Sequence, residues 1–196
     1  TVPNTWRFAS TTQGFPGPKT FTTGRIVSVP YAIATDGDAA LISYAAKFDG
    51  ASLTAEKLRV SDEEIAAARA ATDDATLELL EASRRNVLDF ARRSMREDWR
   101  GTNAQGAEVG EVYHPFGRVG CYVPGGSAPL VSTAIMTCTL ASAAGCPEIV
   151  ACTPSGPEGQ VHPALLTALD LAGATEIYRI GGAQAIAAMA YGTDTI

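Results

Sequence analysis

Three apolar runs at 118–123, 148–153 and 176–180 begin 30 and 28 residues apart, each followed by an alanine-rich stretch of helical length. That repeat is the length of a strand, a crossover helix and the next parallel strand. The runs are built of Val, Ile, Cys and Ala without polar alternation, so the sheet they form is buried on both faces and needs helices on each side. Helices are expected at 129–144, 163–172 and 183–191. Pro129 and Pro163 stand at two starts and Gly145, Gly173 and Gly192 just past the ends, the usual asymmetry of helix punctuation. An α/β fold with a parallel sheet follows, and in such sheets ligands bind beyond the carboxyl ends of the strands.

Upstream the pattern is helical. Residues 1–24 mix Pro3, Gly14, Pro16 and Gly17 with serine and threonine, a composition for turns, and are expected to form a poorly ordered arm. Apolar residues recur near helical spacing over 25–48, with an interruption at Asp36-Gly37-Asp38, and Asp49-Gly50 marks a turn. Ser61-Asp62-Glu63-Glu64 has the form of a capping box. After Thr72-Asp73-Asp74 a second long pattern runs to about Arg96, with Leu77, Leu80, Val87, Ala91 and Met95 as its apolar stripe. Its arginines Arg84, Arg85, Arg92 and Arg93 interleave with Glu81 and Asp89, which marks a solvated face. Residues 101–110 read as a polar connection and 111–113 as a short β-like stretch. The division expected is thus an arm over 1–24, a helical amino-terminal region over 25–110 and an α/β domain over 111–196.

The formal net charge of −6 gives a nucleic acid or an acidic membrane surface little to bind, and a small-molecule ligand is the expectation. No apolar run is long enough to span a bilayer, and no signal-peptide pattern is present. Cys121, Cys138, Cys146 and Cys152 lack paired CxxC spacing and sit in apolar segments, so they read as buried reduced thiols, which suits a cytoplasmic setting. His114 and His162, 48 residues apart, have no HExxH pattern and no second ligand at helical spacing. No metal ligand and no catalytic residue is assigned within the chain.

Two strand-to-helix loops carry the chemistry. In Tyr122-Val123-Pro124-Gly125-Gly126-Ser127-Ala128-Pro129, adjacent glycines let backbone approach a ligand and Ser127 can cap the helix, or the Pro-Gly-Gly turn merely reverses the chain. In Gly181-Gly182-Ala183-Gln184 the glutamine falls in the first helical turn, where its carboxamide can both donate and accept, or simply cap or meet solvent. Neither loop is a GxGxxG fingerprint. The segments from Gly120 to Leu130 and from Gly181 to Thr193 nevertheless closely resemble histidinol dehydrogenases. Shorter likenesses are Ala144 to Val150, Asp170 to Ala174, Gly37 to Leu41 and Lys47 to Gly50, so the resemblance covers roughly 25–196. The chain departs from the family pattern at Leu140-Ala141-Ser142, where Pro-Ala and a basic residue are usual, and at Ala91, where a histidine often follows the phenylalanine.

The resemblance implies an incomplete Rossmann-like parallel sheet preceded by a helical region, with Tyr122 and Gln184 as cofactor-binding residues for NAD. It also implies oxidation of L-histidinol to L-histidine by way of the amino aldehyde, a homodimer, and a zinc ion whose ligands, like the catalytic Glu-His pair, are expected beyond Ile196. Two other readings stand beside it: a related NAD-dependent dehydrogenase acting on another small alcohol, and a non-catalytic nucleotide-binding module. A reading frame that runs past Ile196 into further His, Glu and Asp ligands favours the enzyme, whereas a stop codon there favours the module. On the first reading the purified 196-residue chain is expected not to reduce NAD with histidinol. Zinc-dependent NADH formation by that chain would overturn the expectation.

Overall fold

The computed structural model describes residues 24–125 and 129–196, and the arm expected over 1–24 lies, but for Gly24, outside the described residues. The elements run α1 (Gly24–Phe48), α2 (Ala55–Leu58), α3 (Asp62–Ala71), α4 (Asp74–Ser94), β1 (Trp99–Thr102), β2 (Glu108–Glu111) and β3 (Arg118–Tyr122). After these come α5 (Val131–Ala143), β4 (Glu148–Cys152), α6 (Pro163–Ala172), β5 (Glu176–Tyr178) and α7 (Gly182–Tyr191). Among the described residues no helix is long and apolar enough to cross a membrane.

Strands β3, β4 and β5 form the parallel sheet in that spatial order, with Val119 opposite Ile149 and Ala151 opposite Ile177. The pleat sorts their side chains onto two cores. Cys121, Ile149, Ala151 and Ile177 face one side, where α3 to α6 supply Ala68, Leu80, Ile135 and Leu169. Val150, Cys152 and Tyr178 face the other, where α1 and α7 supply Ile33, Leu41, Ala185 and Ala188. The helices expected upstream of the sheet therefore build part of both covering layers. The crossovers α5 and α6 share one face and α7 leaves for the opposite one, packing so closely over β3 that a Cβ at Gly120 would lie 2.6 Å from Met189 Sδ.

Local chemistry sets the element ends. The interruption at 36–38 is real: α1 is kinked at Gly37, whose φ of 53° and ψ of −129° leave the helical region. Pro163 is the first residue of α6, and Gly145, Gly173 and Gly192 each take a positive φ beyond a helix end. Helix α5 instead starts at Val131 with Leu130 as its cap, so Pro129 lies outside it, and the capping role read for Ser127 falls outside the described residues.

The connection expected over 101–110 is in fact a hairpin of β1 and β2, and the β-like stretch lies at 108–111 instead of 111–113. Both strands are exposed on both faces, so no apolar alternation marks them. Asn103 makes the turn, its Oδ1 accepting the N–H groups of Gln105 (3.1 Å) and Ala107 (2.9 Å). Cross-strand pairs, Trp99 Nε1 donating to Glu111 (3.0 Å) and Arg100 to Glu108 (3.0 Å), hold the ribbon. On α4, Arg85, Arg92 and Arg93 are solvated as expected, but Arg84 is half-buried, with its Nε buried and unpartnered. All four cysteines are free; Cys121, Cys138 and Cys152 are buried, but Cys146, in the turn after Gly145, is only partly so.

One carboxylate joins the helical region to the sheet. The capping box of α3 is complete, with Ser61 Oγ accepting from Glu64 N (3.2 Å) and Glu64 Oε2 accepting from Ser61 N (3.0 Å). Both oxygens of Glu64 also receive the Arg179 guanidinium, at 3.0 and 2.5 Å. Arg179, 8% exposed, further donates to the carbonyls of Gly159 (3.0 Å) and Arg59 (3.3 Å). Beside it residues 58–60 cover the edge of β5, through Val60 N to Ile177 O (2.8 Å) and Arg179 N to Leu58 O (2.9 Å).

The hydrogen bonds from Arg179 hold the Glu64 carboxyl below its ordinary range. A carboxyl lowered on folding contributes stability above its unfolded pKa of about 4.3, and that contribution is lost as pH falls through the lower folded value. Glu64→Gln is therefore expected to destabilise the fold at neutral pH by about 1–3 kcal/mol, less than for a fully buried pair because Glu64 is half-exposed. Urea unfolding midpoints measured from neutral pH to below 4 are expected to converge between the variant and the parent at the acid end.

Candidate functional site

Beyond the carboxyl ends of the strands three loops lie side by side. The ladder continues one residue past each pair, with Val123 N donating to Cys152 O (2.9 Å) and Thr153 N to Tyr178 O (3.0 Å). The middle loop then places Pro154 between its neighbours. A Cβ on Gly125 would lie 2.4 Å from Pro154 Cγ, and one on Gly181 would lie 2.4 Å from Pro154 Cβ. Real carbon atoms do not approach so closely, so both positions require glycine because a proline ring occupies the space. The sequence pattern singles out both Gly-Gly loops as places of close backbone approach, but not the partner that approaches Gly125 and Gly181, Pro154. Its signal was the Pro-Gly density of Pro154-Ser155-Gly156-Pro157 directly after a strand.

The two residues expected to bind a cofactor meet at Gly182. Tyr122, half-buried at the end of β3, has its hydroxyl oxygen accepting the Gly182 N–H at 3.0 Å across 60 residues of sequence. Gly182 has a φ of 67°, the left-handed region that glycine adopts without strain. Gln184 is 2% exposed, and its Oε1 lies 2.7 Å and its Nε2 3.1 Å from where a Gly182 Cβ would stand. The carboxamide is thus folded against the loop, not solvated. The residue before α7, Gly181, brings no side-chain cap, and the Tyr122 hydroxyl takes the first amide of the helix, that of Gly182.

On the far side of Pro154 opens a cavity of about 730 Å³, walled by Gly125, Pro154 and the 155–162 segment, with Asp49 entering from the end of α1. A turn shapes that segment, through Gly159 N to Gly156 O (2.8 Å) and Gly156 N to Gln160 O (2.9 Å), and Arg179 holds it by the Gly159 carbonyl. Burial raises the Asp49 carboxyl above its usual range. His162 stands on the rim as the cap of α6, its Nδ1 accepting from Ala164 N at 3.2 Å, and His114 is exposed elsewhere.

No group of three or more His, Cys, Asp or Glu side chains among the described residues could hold a metal ion, so these residues do not fit a zinc site. Next to Tyr122, the neighbouring Cys138 thiol draws the Cys121 pKa down, whereas burial pushes Cys152 up to about 12. Both thiols are enclosed in the cores and face neither loop nor cavity.

Residues 20–196 match the family model described as histidinol dehydrogenase. A histidinol dehydrogenase of Methanopyrus kandleri is 46% identical over 162 residues, which are 82% of this chain and 38% of that protein. One of Xanthomonas campestris is 46% identical over 160 residues, or 82% and 37% of the respective chains. The crystal structure of histidinol dehydrogenase from Elizabethkingia anophelis superposes with a TM-score of 0.85 at 36% identity, covering 94% of this chain and 42% of that one. The chain thus spans about two fifths of the length of these relatives.

The close approach to Pro154 yields a direct test. Gly181→Ala is expected to displace the proline or the loop and to cost about 1–3 kcal/mol, as overpacking does. Combining it with Pro154→Gly, which removes the Cβ that a Gly181 side chain would strike, is expected to recover part of that loss, so a double-mutant cycle on denaturation midpoints should give a coupling above about 0.5 kcal/mol.

Proposed function

The chain belongs to the histidinol dehydrogenase family, and on that premise we propose that it is the NAD-binding part of an enzyme oxidising L-histidinol to L-histidine by way of the amino aldehyde. The observation that carries this reading is the meeting of Tyr122 and Gln184 at Gly182, at the amino end of α7 and at the carboxyl edge of a parallel sheet. A helix end attracts a diphosphate through its first-turn amides and the positive end of the helix dipole, and at α7 those beyond Gly182 are left for it. The change of side between α6 and α7 is the arrangement that opens a ligand crevice in doubly wound sheets.

NAD, when bound, supplies the hydride acceptor. The chain's own residues do the holding. The Tyr122 hydroxyl, by accepting the Gly182 N–H, fixes the loop that leads into α7 and keeps its own proton free to donate. Gln184 contributes a donor and an acceptor once its carboxamide turns from Gly182 toward the ligand. Pro154 stands between this contact and the cavity, so an extended dinucleotide lies across it. The whole enzyme is proposed to act as a cytoplasmic homodimer on a small molecule, and a net charge of −6 is in keeping with such a substrate in preference to a nucleic acid or an anionic membrane.

The reading is tested on the full-length product of the reading frame that encodes this chain. Histidinol-dependent NADH formation is expected. Tyr122→Phe and Gln184→Ala are each expected to weaken NAD binding in calorimetric titration by about two- to tenfold, the worth of one hydrogen bond at about 0.5–1.5 kcal/mol. Unchanged NAD affinity in both variants would remove Tyr122 and Gln184 from the site.

A further inference from the structure

The cavity beside Pro154 has a polar character that the contacts at Tyr122 and Gln184 do not use. Its volume of about 730 Å³ lies in the range of small-molecule sites. Three of the residues lining it, Asp49, Thr153 and Ser155, carry a side-chain oxygen that is buried without a hydrogen-bond partner. Thr153 is 0% and Ser155 8% exposed. Buried oxygens are rarely left unpaired, so this wall calls for a ligand that brings hydroxyl or amide protons.

The charge on the same wall narrows the ligand further. Among the described residues the lining includes the carboxylates Asp49 and Glu158 and no lysine or arginine. The amino end of α6 opens onto the cavity but offers no anion site. Pro163 has no N–H, Ala164 N is bound by His162 Nδ1, and Leu165 N is bound by His162 O at 2.9 Å. A phosphate placed here would meet two negative side chains and no counter-charge. A vicinal diol would meet acceptors for both of its protons.

Of the two carboxylates, Asp49 is the one prepared for the task. Its backbone is fixed at the end of α1 by Asp49 N to Ala45 O (2.9 Å), and Gly50, with a φ of 68°, turns the chain against Pro157. Its side chain is already partly withdrawn from water, whereas Glu158 is exposed on the turn and would lose rotamer freedom on binding. An acidic side chain on a ribose 2′-hydroxyl is the general device by which dinucleotide sites prefer the cofactor without a 2′-phosphate. Here the acid comes from the preceding helical region instead of from a strand of the sheet.

We propose that Asp49 is a specificity-determining residue, which accepts the hydroxyl protons of the ribose diol at the adenosine end of the bound dinucleotide and repels a 2′-phosphate from that place. The proposal rests on the NAD-binding reading above and extends it to a second set of contacts. Thr153 and Ser155 line the same place and, by turning about Cα–Cβ, bring their unpaired oxygens toward the ligand.

Binding of NAD, NADP and the 2′-deoxyadenosine analogue of NAD to the full-length protein, measured by titration calorimetry without substrate, tests this. The parent protein is expected to prefer NAD to NADP by at least about thirtyfold and to lose about tenfold for the deoxy analogue, the scale of a hydrogen bond to a charged group. Asp49→Asn is expected to bind NAD more weakly, to narrow the NAD-to-NADP ratio at least about tenfold and to become nearly indifferent to the deoxy substitution, whereas Glu158→Gln keeps the parent ratio. An Asp49→Asn protein with the parent ratio would overturn the proposal and leave NAD binding intact. Undiminished binding of the deoxy analogue by the parent protein would overturn it without any variant, even if Asp49→Asn fails to fold. A parent protein that binds no NAD would instead overturn the reading on which the proposal rests.

Discussion

The carboxyl edge of the sheet is organised by a packing constraint: one proline ring wedged between two glycines from neighbouring loops. Pro154 can stand there only because Gly125 and Gly181 lack side chains, and with the ring in place the three loops cannot slide past each other independently. That contact separates the edge into two compartments. On one side Tyr122, Gly182 and Gln184 form a hydrogen-bonded corner at the start of α7. On the other, the 155–162 segment and Asp49 enclose the cavity.

The opposite edge of the same sheet is held by charge. Arg118, Glu148 and Glu176 are the first residues of β3, β4 and β5, and the Arg118 guanidinium reaches Glu148 at 2.6 Å and Glu176 at 3.0 Å. Burial pushes the Glu176 carboxyl up, but its hydrogen bonds to Arg118 and Tyr178 outweigh that and hold it lowered. The register of three strands is thereby pinned at the amino end by a basic group shared between two acids. Among the described residues the cavity wall at the carboxyl edge has no lysine or arginine, so the two ends of one short sheet carry different chemistry.

Much of the fold was legible because the physics that sets it is local or periodic. The 30- and 28-residue spacing of the strands, the Ser61 capping box, the break at Gly37 and the glycines after α5, α6 and α7 all follow from backbone rules acting within a few residues. The hairpin at 99–111 escaped because neither of its faces is buried, and burial is what writes alternation into a strand. Helix α5 begins two residues after Pro129, since a proline restricts the approach to a helix without obliging the helix to start on it. In the site, Tyr122 and Gln184 were named through resemblance, but their meeting at Gly182 is a contact over 60 residues that no spacing reveals. Asp49 lay further still from recognition. It read as half of an Asp-Gly turn, and only the packing of α1 on the far face of the sheet carries it to the cavity.

Glu64 gives the fold a property that no single contact has. Its two oxygens serve the start of α3 and the Arg179 guanidinium at once, and Arg179 in turn grips the Gly159 carbonyl in the turn whose neighbouring residues wall the cavity. Fraying of the first turn of α3 and outward motion of that wall therefore draw on the same bonds and occur together, as one cooperative opening unit. A ligand that orders the wall is therefore expected to slow hydrogen exchange at the Ser61 and Glu64 amides, although it touches neither. In this way a helix cap on the flank of the molecule becomes a reporter of occupancy at the edge of the sheet.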